Sequence, residues 1–199
     1  MKEKTALEYL SIAFDIAKDN YGILFLNYLI YSLILFLLII SYVGILAIPL
    51  IYAGYFIFVL GIKRKEDLNI GDFIFFSFRN ARWWEIIILQ ILMALAVILG
   101  TILFIIPGLY LAVVWSLSIF FLLDKNMTIN ESLNRSREAI HKIGIWKLSF
   151  LILSMALITQ LLIFVPFIGI AINLGVGPII IMTYVIIYED SIGNLDIIN

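Results

Sequence analysis

Residues 86–123 read IIILQILMALAVILGTILFIIPGLYLAVVWSLSIFFLL, a stretch without any Asp, Glu, Lys or Arg. A membrane-spanning helix needs roughly 20 predominantly apolar residues, so a stretch of about twice that length predicts two spans. Pro107 and Gly108, near its middle, mark the turn between them. A charge at the bilayer centre costs about 2.5–3.5 kcal/mol on insertion scales, which explains why the stretch carries none.

Two further charge-free stretches of similar length, residues 20–62 and 148–188, lie on either side of the first. Both hold glycine and proline near their middle: Gly44 with Pro49, and Pro166 with Gly169. Because backbone groups inside lipid must be hydrogen-bonded within the chain, each stretch is expected to form a helical hairpin. The sequence therefore predicts an all-α integral membrane protein with six transmembrane helices in three hairpins.

The composition supports this class and excludes others. Hydrophobic residues make up 64% of the chain and charged residues 14%, against roughly 45–50% and about 25% in soluble domains. The absence of cysteine excludes a disulfide framework and a thiolate zinc site. The first apolar run is too long for a signal peptide, so no cleavable signal is expected. We expect a single membrane domain over residues 1–199, with residues 191–199 as a cytoplasmic tail.

The positions of the basic residues predict the orientation. All 13 Lys and Arg residues lie before the first hairpin or in the connections between hairpins, and the outer turns carry none. The positive-inside bias therefore predicts a multi-pass protein of a prokaryotic cell membrane, with its N- and C-termini and both connections cytoplasmic. Trp83, Trp84 and Trp146 stand where the connections enter the bilayer, as an aromatic belt would.

Each hairpin is preceded by a helix-start signal. A capping residue is followed three positions later by a carboxylate, as in a capping box or its close variant: Thr5 and Glu8, Asn69 and Asp72, Thr128 and Glu131. The second and third copies superpose with a constant shift of 59 residues, which places Asn69 on Thr128, Asp72 on Glu131, Ser77 on Ser136 and Pro107 on Pro166. We predict a threefold internal repeat of an interfacial amphipathic helix plus a hairpin, with units at about 5–67, 68–127 and 128–190.

The third of these helices has the clearest pattern. Leu133, Ile140 and Ile143 follow a three-to-four spacing, and Ser136 fills the gap. Residues 129–143 are expected to form a helix parallel to the membrane plane, with its apolar stripe in the acyl boundary. The second helix, around residues 73–78, is too apolar to lie on a surface and is expected to pack under the bundle as well.

Basic residues on other faces of the third helix are candidate contacts for anionic lipid headgroups: Arg135, Arg137 and Lys142. Charge that only sets the topology is the alternative explanation, and it is the preferred one at this point.

Several short motifs resemble a known family. They are Gly54-Tyr55-Phe56, Ile106-Pro107-Gly108, Glu131-Ser132-Leu133-x-x-Ser136, Lys142-x-Gly144-x-Trp146-Lys147-Leu148, and Pro178 with Tyr188-Glu189-Asp190. Over about residues 54–190 the chain resembles the membrane-domain superfamily found beside glycerophosphodiester phosphodiesterases, and a related bacterial family of uncharacterised six-span proteins. Ser132 and Ile179 depart from it, where alanine and an aromatic residue are usual. The resemblance implies membrane location and six helices but no known reaction, and the phosphodiesterase barrel is absent.

The polar residues do not predict an enzyme. The spans contain no Asp, Glu, Lys, Arg or His to act as an acid or base. His141 is better explained as a solvated helix residue than as a base, and Glu85 as a capping carboxylate near Arg82. One histidine without cysteine makes a metal site improbable, and no glycine-rich phosphate loop predicts a cofactor. The 14 acidic residues interleave with the 13 basic ones, so nucleic acid is not an expected partner.

The sixth predicted span carries the run Asn173-Leu174-Gly175-Val176-Gly177-Pro178. Pro178 lacks an N–H and clashes with the carbonyl of Leu174, so the helix is expected to be interrupted or kinked there. Broken helices of this kind expose backbone groups at transporter substrate sites. The candidate ligand or helix-break site consists of Gln90, Asn173, Gly175, Gly177 and Pro178. A packing kink with close helix approach is the preferred alternative.

These observations predict a non-enzymatic integral membrane protein with a lipid-engaging or accessory scaffold role. Its expected partners are membrane lipids or another membrane protein. The alternative is a small-solute transporter or channel that uses a broken sixth span. A continuous polar cavity reaching Asn173 and Gln90 would favour transport. A sealed core with lateral openings would favour the lipid or scaffold role.

Overall fold

The computed structural model of the chain describes residues 4–41, 44–78, 82–163 and 168–196. All regular elements in these ranges are helices, which confirms the all-α fold class. They are α1 Ala6–Asp19, α2 Tyr21–Ile40, a 3₁₀ turn Gly44–Ala47, α3 Ile48–Lys63, α4 Phe73–Phe76, α5 Trp83–Leu103, α6 Ile105–Val114, α7 Ser118–Asp124, α8 Ile129–Ile143, α9 Ile145–Ile163 and α10 Ile168–Asp196. Pro166, the predicted third turn, lies outside the described residues.

Several helices have the length and composition of membrane spans. Four in the described ranges are long and apolar enough to cross a bilayer: Tyr21–Ile40, Trp83–Leu103, Ile105–Asp124 and Gly169–Gly193. A fifth results if α8 and α9, which are bent by 106° at their junction, count as one span. The shorter helix Ile48–Lys63 is also apolar. The fold is thus that of a multi-pass helical membrane protein with at least four membrane-capable helices.

Two of the three predicted helix-start signals form complete capping boxes. The backbone N–H of Thr5 donates to the Glu8 carboxylate at 2.5 Å, and the Glu8 N–H donates to the Thr5 hydroxyl at 3.3 Å. Thr128 and Glu131 repeat this pair of contacts at the start of α8. The capping bond from the Thr128 backbone keeps the pKa of the Glu131 carboxyl below its usual value. The prediction of a helix over residues 129–143 is confirmed, with these same bounds.

The second predicted interfacial helix is much shorter in the structure than the sequence pattern predicts. The Asn69 N–H does donate to the Asp72 carboxylate at 2.7 Å, yet the helix that follows, α4, is a single turn of four residues. Phe73 is fully buried against α3, where the absence of a side chain at Gly54 lets the Phe73 carbonyl come close. The segment does pack under the bundle as expected. Burial of Phe73 against α3, and not a helical apolar stripe, holds the segment in place.

The apolar stripe of α8 is buried inside the protein, contrary to the prediction that it faces the acyl boundary. Leu133, Ser136, Ile140 and Ile143 are all buried, and α8 packs on α6, α7, α9 and α10. The neighbouring helices cover the stripe, so lipid is not needed to do so. At Gly144, which has a φ of +120°, the chain turns from α8 into α9. α8 therefore lies nearly perpendicular to α9.

An interruption of the sixth span is not found, because α10 continues as one helix through Pro178. The alternative form of the prediction, a kink at Pro178, stays a prediction. A proline removes one backbone donor, and the turns on both sides remain held by packing on α1, α2, α3, α8 and α9. Gly177 instead permits close helix approach. A Cβ atom there would lie 2.1 Å from Cζ of Tyr28 on α2. Of the preferred alternative, a packing kink with close helix approach, the structure shows the close approach.

Candidate functional site

An open groove of about 420 Å³ lies between α6, α8 and α9. Its lining is mostly apolar and comprises Ile106, Leu109, Tyr110, His141, Ile145, Trp146, Ser149 and Leu153. Ile106 is 79% exposed and Trp146 is 87% exposed, so the groove opens away from the bundle. The groove is thus an open apolar surface next to a membrane-capable helix.

The corner between α8 and α9 builds this groove. α8 ends at Gly144. Its backbone φ is positive, and a residue with a side chain at this position would be strained. The sharp turn sets His141, in the last turn of α8, beside Trp146, in the first turn of α9. Tyr110 of α6 completes the third side. The groove therefore depends on one glycine and on the docking of α8 against α6.

One end of the groove is polar. The Tyr110 hydroxyl and His141 Nε2 lie 3.0 Å apart. Arg137 precedes His141 by one turn of α8, so the two side chains leave the same face of the helix. Arg137 and Lys142 are exposed and form no ion pair with any residue that the structure describes. Arg135, by contrast, is paired with Glu138 at 3.2 Å. Two of the three candidate headgroup contacts, Arg137 and Lys142, are therefore unpaired among the described residues, and Arg137 shares the helix face of His141.

Gln90 and Asn173, the two polar residues of the predicted sixth-span site, contact different helices. The Gln90 amide on α5 donates to the Pro49 carbonyl of α3 at 3.3 Å. Asn173 on α10 accepts from the Tyr28 hydroxyl of α2 at 3.1 Å. A cavity of about 350 Å³ reaches Gln90, and Asn173 is not among the residues that line it. Gly175, Gly177 and Pro178 belong to the continuous helix α10.

A charged network that the sequence analysis missed ties together the ends of α3, α7 and α10. Arg64 donates from Nη1 and Nη2 to the two Asp124 oxygens at 2.5 and 3.0 Å, and from Nε to Glu189 at 2.8 Å. The Tyr188 hydroxyl donates to Asp124 at 2.7 Å. Hydrogen bonding to Asp124 raises the pKa of the Arg64 guanidinium above its ordinary value. A usable signal was present, since Arg64, Asp124 and Glu189 each end or follow a predicted hairpin.

A second network fastens α1 to the same end of α10. Lys4 Nζ and the Tyr9 hydroxyl both donate to the Asp190 carboxylate at 2.5 Å. Lys147, in the first turn of α9, donates to the Lys4 carbonyl at 2.7 Å. The charges of these segments therefore hold helix ends together, a role that the sequence pattern did not predict.

Comparison of the chain with family models, with curated proteins and with solved structures finds no match. The resemblance to the phosphodiesterase-associated membrane domain stays a prediction. The groove and the networks are the functional information that the molecule itself provides.

Proposed function

We propose that the chain is a six-span cell-membrane protein built from three units, α1–α3, α4–α7 and α8–α10, with both termini in the cytoplasm. The Arg64 network supports this arrangement, because it joins the last helix of each proposed unit at one end of the bundle. α3, with 16 residues, is about 24 Å long and falls short of the roughly 30 Å hydrocarbon core. The 3₁₀ turn Gly44–Ala47 lengthens this span.

Two serine contacts support the internal repeat. Ser77 and Ser136, which superpose at the shift of 59 residues, are both buried. The Ser77 hydroxyl donates to the Leu50 carbonyl of α3. The Ser136 hydroxyl donates to the Val114 carbonyl of α6 at 2.7 Å. In both units, therefore, a hydroxyl from the connection is bonded to the second helix of the preceding hairpin.

Within this architecture the function is lipid binding without catalysis. The observation that carries the proposal is the apolar groove of α6, α8 and α9, with the Tyr110–His141 contact at one end and Arg137 one helical turn from His141. An acyl chain fits the apolar lining, where it loses no hydrogen bonds. The headgroup phosphate of the same lipid then reaches Arg137 and Lys142, which favours an anionic phospholipid. An accessory role toward another membrane protein is compatible with such a lipid-filled surface.

The transporter alternative loses its premise, because the helix it requires to be broken is continuous. Its other requirement, a polar cavity joining Gln90 to Asn173, is not met by the cavity that reaches Gln90. Lipid binding at a lateral groove is therefore the function that the geometry supports best.

The test uses the full chain in nanodiscs of phosphatidylcholine and phosphatidylglycerol in equal parts, with retained lipid counted by native mass spectrometry. Phosphatidylglycerol is expected to be enriched, by about fivefold for each basic residue that contacts it. Leu109→Trp, which fills the groove, should reduce all retained lipid. The double change Arg137→Gln with Lys142→Gln should remove only the preference for phosphatidylglycerol.

Arg135→Gln is the matched control, because Arg135 lies on the same helix and is paired with Glu138. Equal retention of both lipids by the unchanged protein would contradict the proposal. So would an equal loss of preference in the Arg135 control and in the double variant.

A further inference from the structure

The third membrane-capable helix, Ile105–Asp124, contains a break that no residue within it predicts. α6 ends at Val114 and α7 begins at Ser118, and residues 115–117 between them are not α-helical. Neither glycine nor proline occurs in this segment, which reads Trp-Ser-Leu. Breaks within membrane helices are tolerated where the backbone is covered by protein or lines a cavity.

A cavity of about 350 Å³ adjoins this break. Its lining comes from α3, α5, α6, α7, α10 and the break itself: Tyr52, Gln90, Met93, Ala94, Val97, Ala112, Trp115, Ser116, Ile119 and Tyr184. The volume exceeds the ~30 Å³ share of a single water many times over. It falls at the lower end of the ~300–1,000 Å³ typical of small-molecule sites.

Ser116, which lines the cavity, has an unused hydrogen-bonding group. Its hydroxyl oxygen is buried and has no hydrogen-bond partner among the residues that the structure describes. The backbone at the break is satisfied by another residue, because Ser136 bonds to both the Val114 carbonyl and the Leu117 amide. The Ser116 hydroxyl is therefore not needed to hold the break together. A rotation about χ1 gives it a partner when a polar group enters the cavity.

The lining determines the class of ligand. No Asp, Glu, Lys, Arg or His stands among the described residues around the cavity, so an ionised ligand would lose its hydration without a counter-charge. The polar groups present are hydroxyls and one amide, which both donate and accept hydrogen bonds. Met93, Ala94 and Val97 form an apolar wall on α5. Ala94 is exposed on the surface of that helix, so this wall borders the surrounding bilayer.

We propose that this cavity binds a neutral amphiphile, with its hydroxyl or amide group at Ser116 and Gln90 and its apolar part along α5. The site is separate from the lipid groove, which lies between α6, α8 and α9 and shares no lining residue with it. The same chemistry is available from a neutral lipid in the bilayer or from a neutral solute in water.

The experiment uses three photoreactive probes with the full chain in nanodiscs: an octanol, an octane and an octanoate, each carrying a diazirine. Labelled peptides are identified by mass spectrometry. The octanol should label residues 90–97 and 112–119 about threefold to tenfold more than the octane does, because only the octanol can hydrogen-bond. The octanoate should label them no better than the octane, since its charge is unpaired there.

Competition with propane-1,2-diol distinguishes the two possible sources of the ligand. Displacement of the octanol indicates a water-soluble solute, and no displacement indicates a lipid.

Two variants and one control complete the test. Ser116→Ala should reduce octanol labelling to the level of octane, and Ala94→Phe, which fills the cavity, should abolish labelling by both. Ser154→Ala should change nothing, because the Ser154 hydroxyl is bonded to Leu151 within α9. Thermal unfolding in detergent confirms that each variant is folded. Equal labelling by octanol and octane, or octanol labelling that survives Ser116→Ala, would overturn the proposal.

Discussion

The hydroxyl of Ser136 on α8 donates a hydrogen bond to the carbonyl of Val114, the last residue of α6, at 2.7 Å. The same oxygen accepts from the amide of Leu117 at 3.2 Å. One side chain from a connection helix thus satisfies a carbonyl and an amide at a break within a membrane-capable helix. Inside a bilayer each of these groups, left bare, would cost several kcal/mol.

Ser136→Ala is expected to destabilise the protein by about 2–6 kcal/mol, since it leaves two buried backbone groups without a partner, at about 1–3 kcal/mol each. Ser132→Ala is the matched control. Ser132 is as fully buried on the same helix, but its hydroxyl bonds to the Thr128 carbonyl, which also accepts from the Ser132 amide. Chemical denaturation in detergent micelles measures both. Equal effects of the two changes would show that Ser136 does not support the break.

The Arg64–Asp124 pair provides a second test, by a double-mutant cycle with Arg64→Gln and Asp124→Asn. A bidentate, charge-assisted contact between partly buried groups should give a coupling energy of about 1–2 kcal/mol. The exposed Arg135–Glu138 pair, tested in the same way, should give less than about 0.5 kcal/mol. Unfolding in detergent supplies the free energies. A coupling no larger than that of the exposed pair would mean that the network does not hold the helix ends together.

Some features of the fold could be predicted from the sequence, and others depend on contacts between distant residues. Hydropathy and charge position are properties of long segments, and they correctly predicted the helical class and several apolar helices. Capping depends on two residues three positions apart, and it placed the starts of α1 and α8. The break at residues 115–117 arises because Ser136, far along the chain, offers an alternative partner to the backbone, so no local residue predicts it.

The uninterrupted helix at Pro178 has the opposite cause. The local rule is correct, because proline does remove a donor, but the packing of α10 on five other helices keeps the flanking turns in place. Gln90 and Asn173 illustrate a related limit. Both are polar residues in apolar helices, and the sequence could not show that each is bonded to a different neighbour.

Gly177→Ala is expected to destabilise the bundle by about 1–3 kcal/mol, because the added methyl group would overlap the Tyr28 ring. Gly193→Ala, in the same helix, is the control, since a Cβ there would meet nothing within 4 Å. That change should be neutral or stabilising by up to about 1 kcal/mol. Combining Gly177→Ala with Tyr28→Ala should recover part of the lost stability. Equal thermal stability of the two glycine variants would contradict the close approach of α2 and α10.

The last prediction concerns orientation, on which the proposed six spans depend. The chain has no cysteine, so single introduced cysteines can be labelled without background. Asn126→Cys, between α7 and α8, should react with a membrane-impermeant maleimide only from the cytoplasmic side. Gly44→Cys, between α2 and α3, should react only from outside. Inverted vesicles and intact cells give the two directions, and permeabilised cells show that each cysteine is reactive. The expected pattern follows from the 13 Lys and Arg residues, all of which lie outside the hairpins.

Labelling of both positions from one side would mean that the first and second hairpins do not cross the bilayer as two spans each. The reverse pattern would keep the spans and invert the protein, placing Arg137 and Lys142 in the outer leaflet.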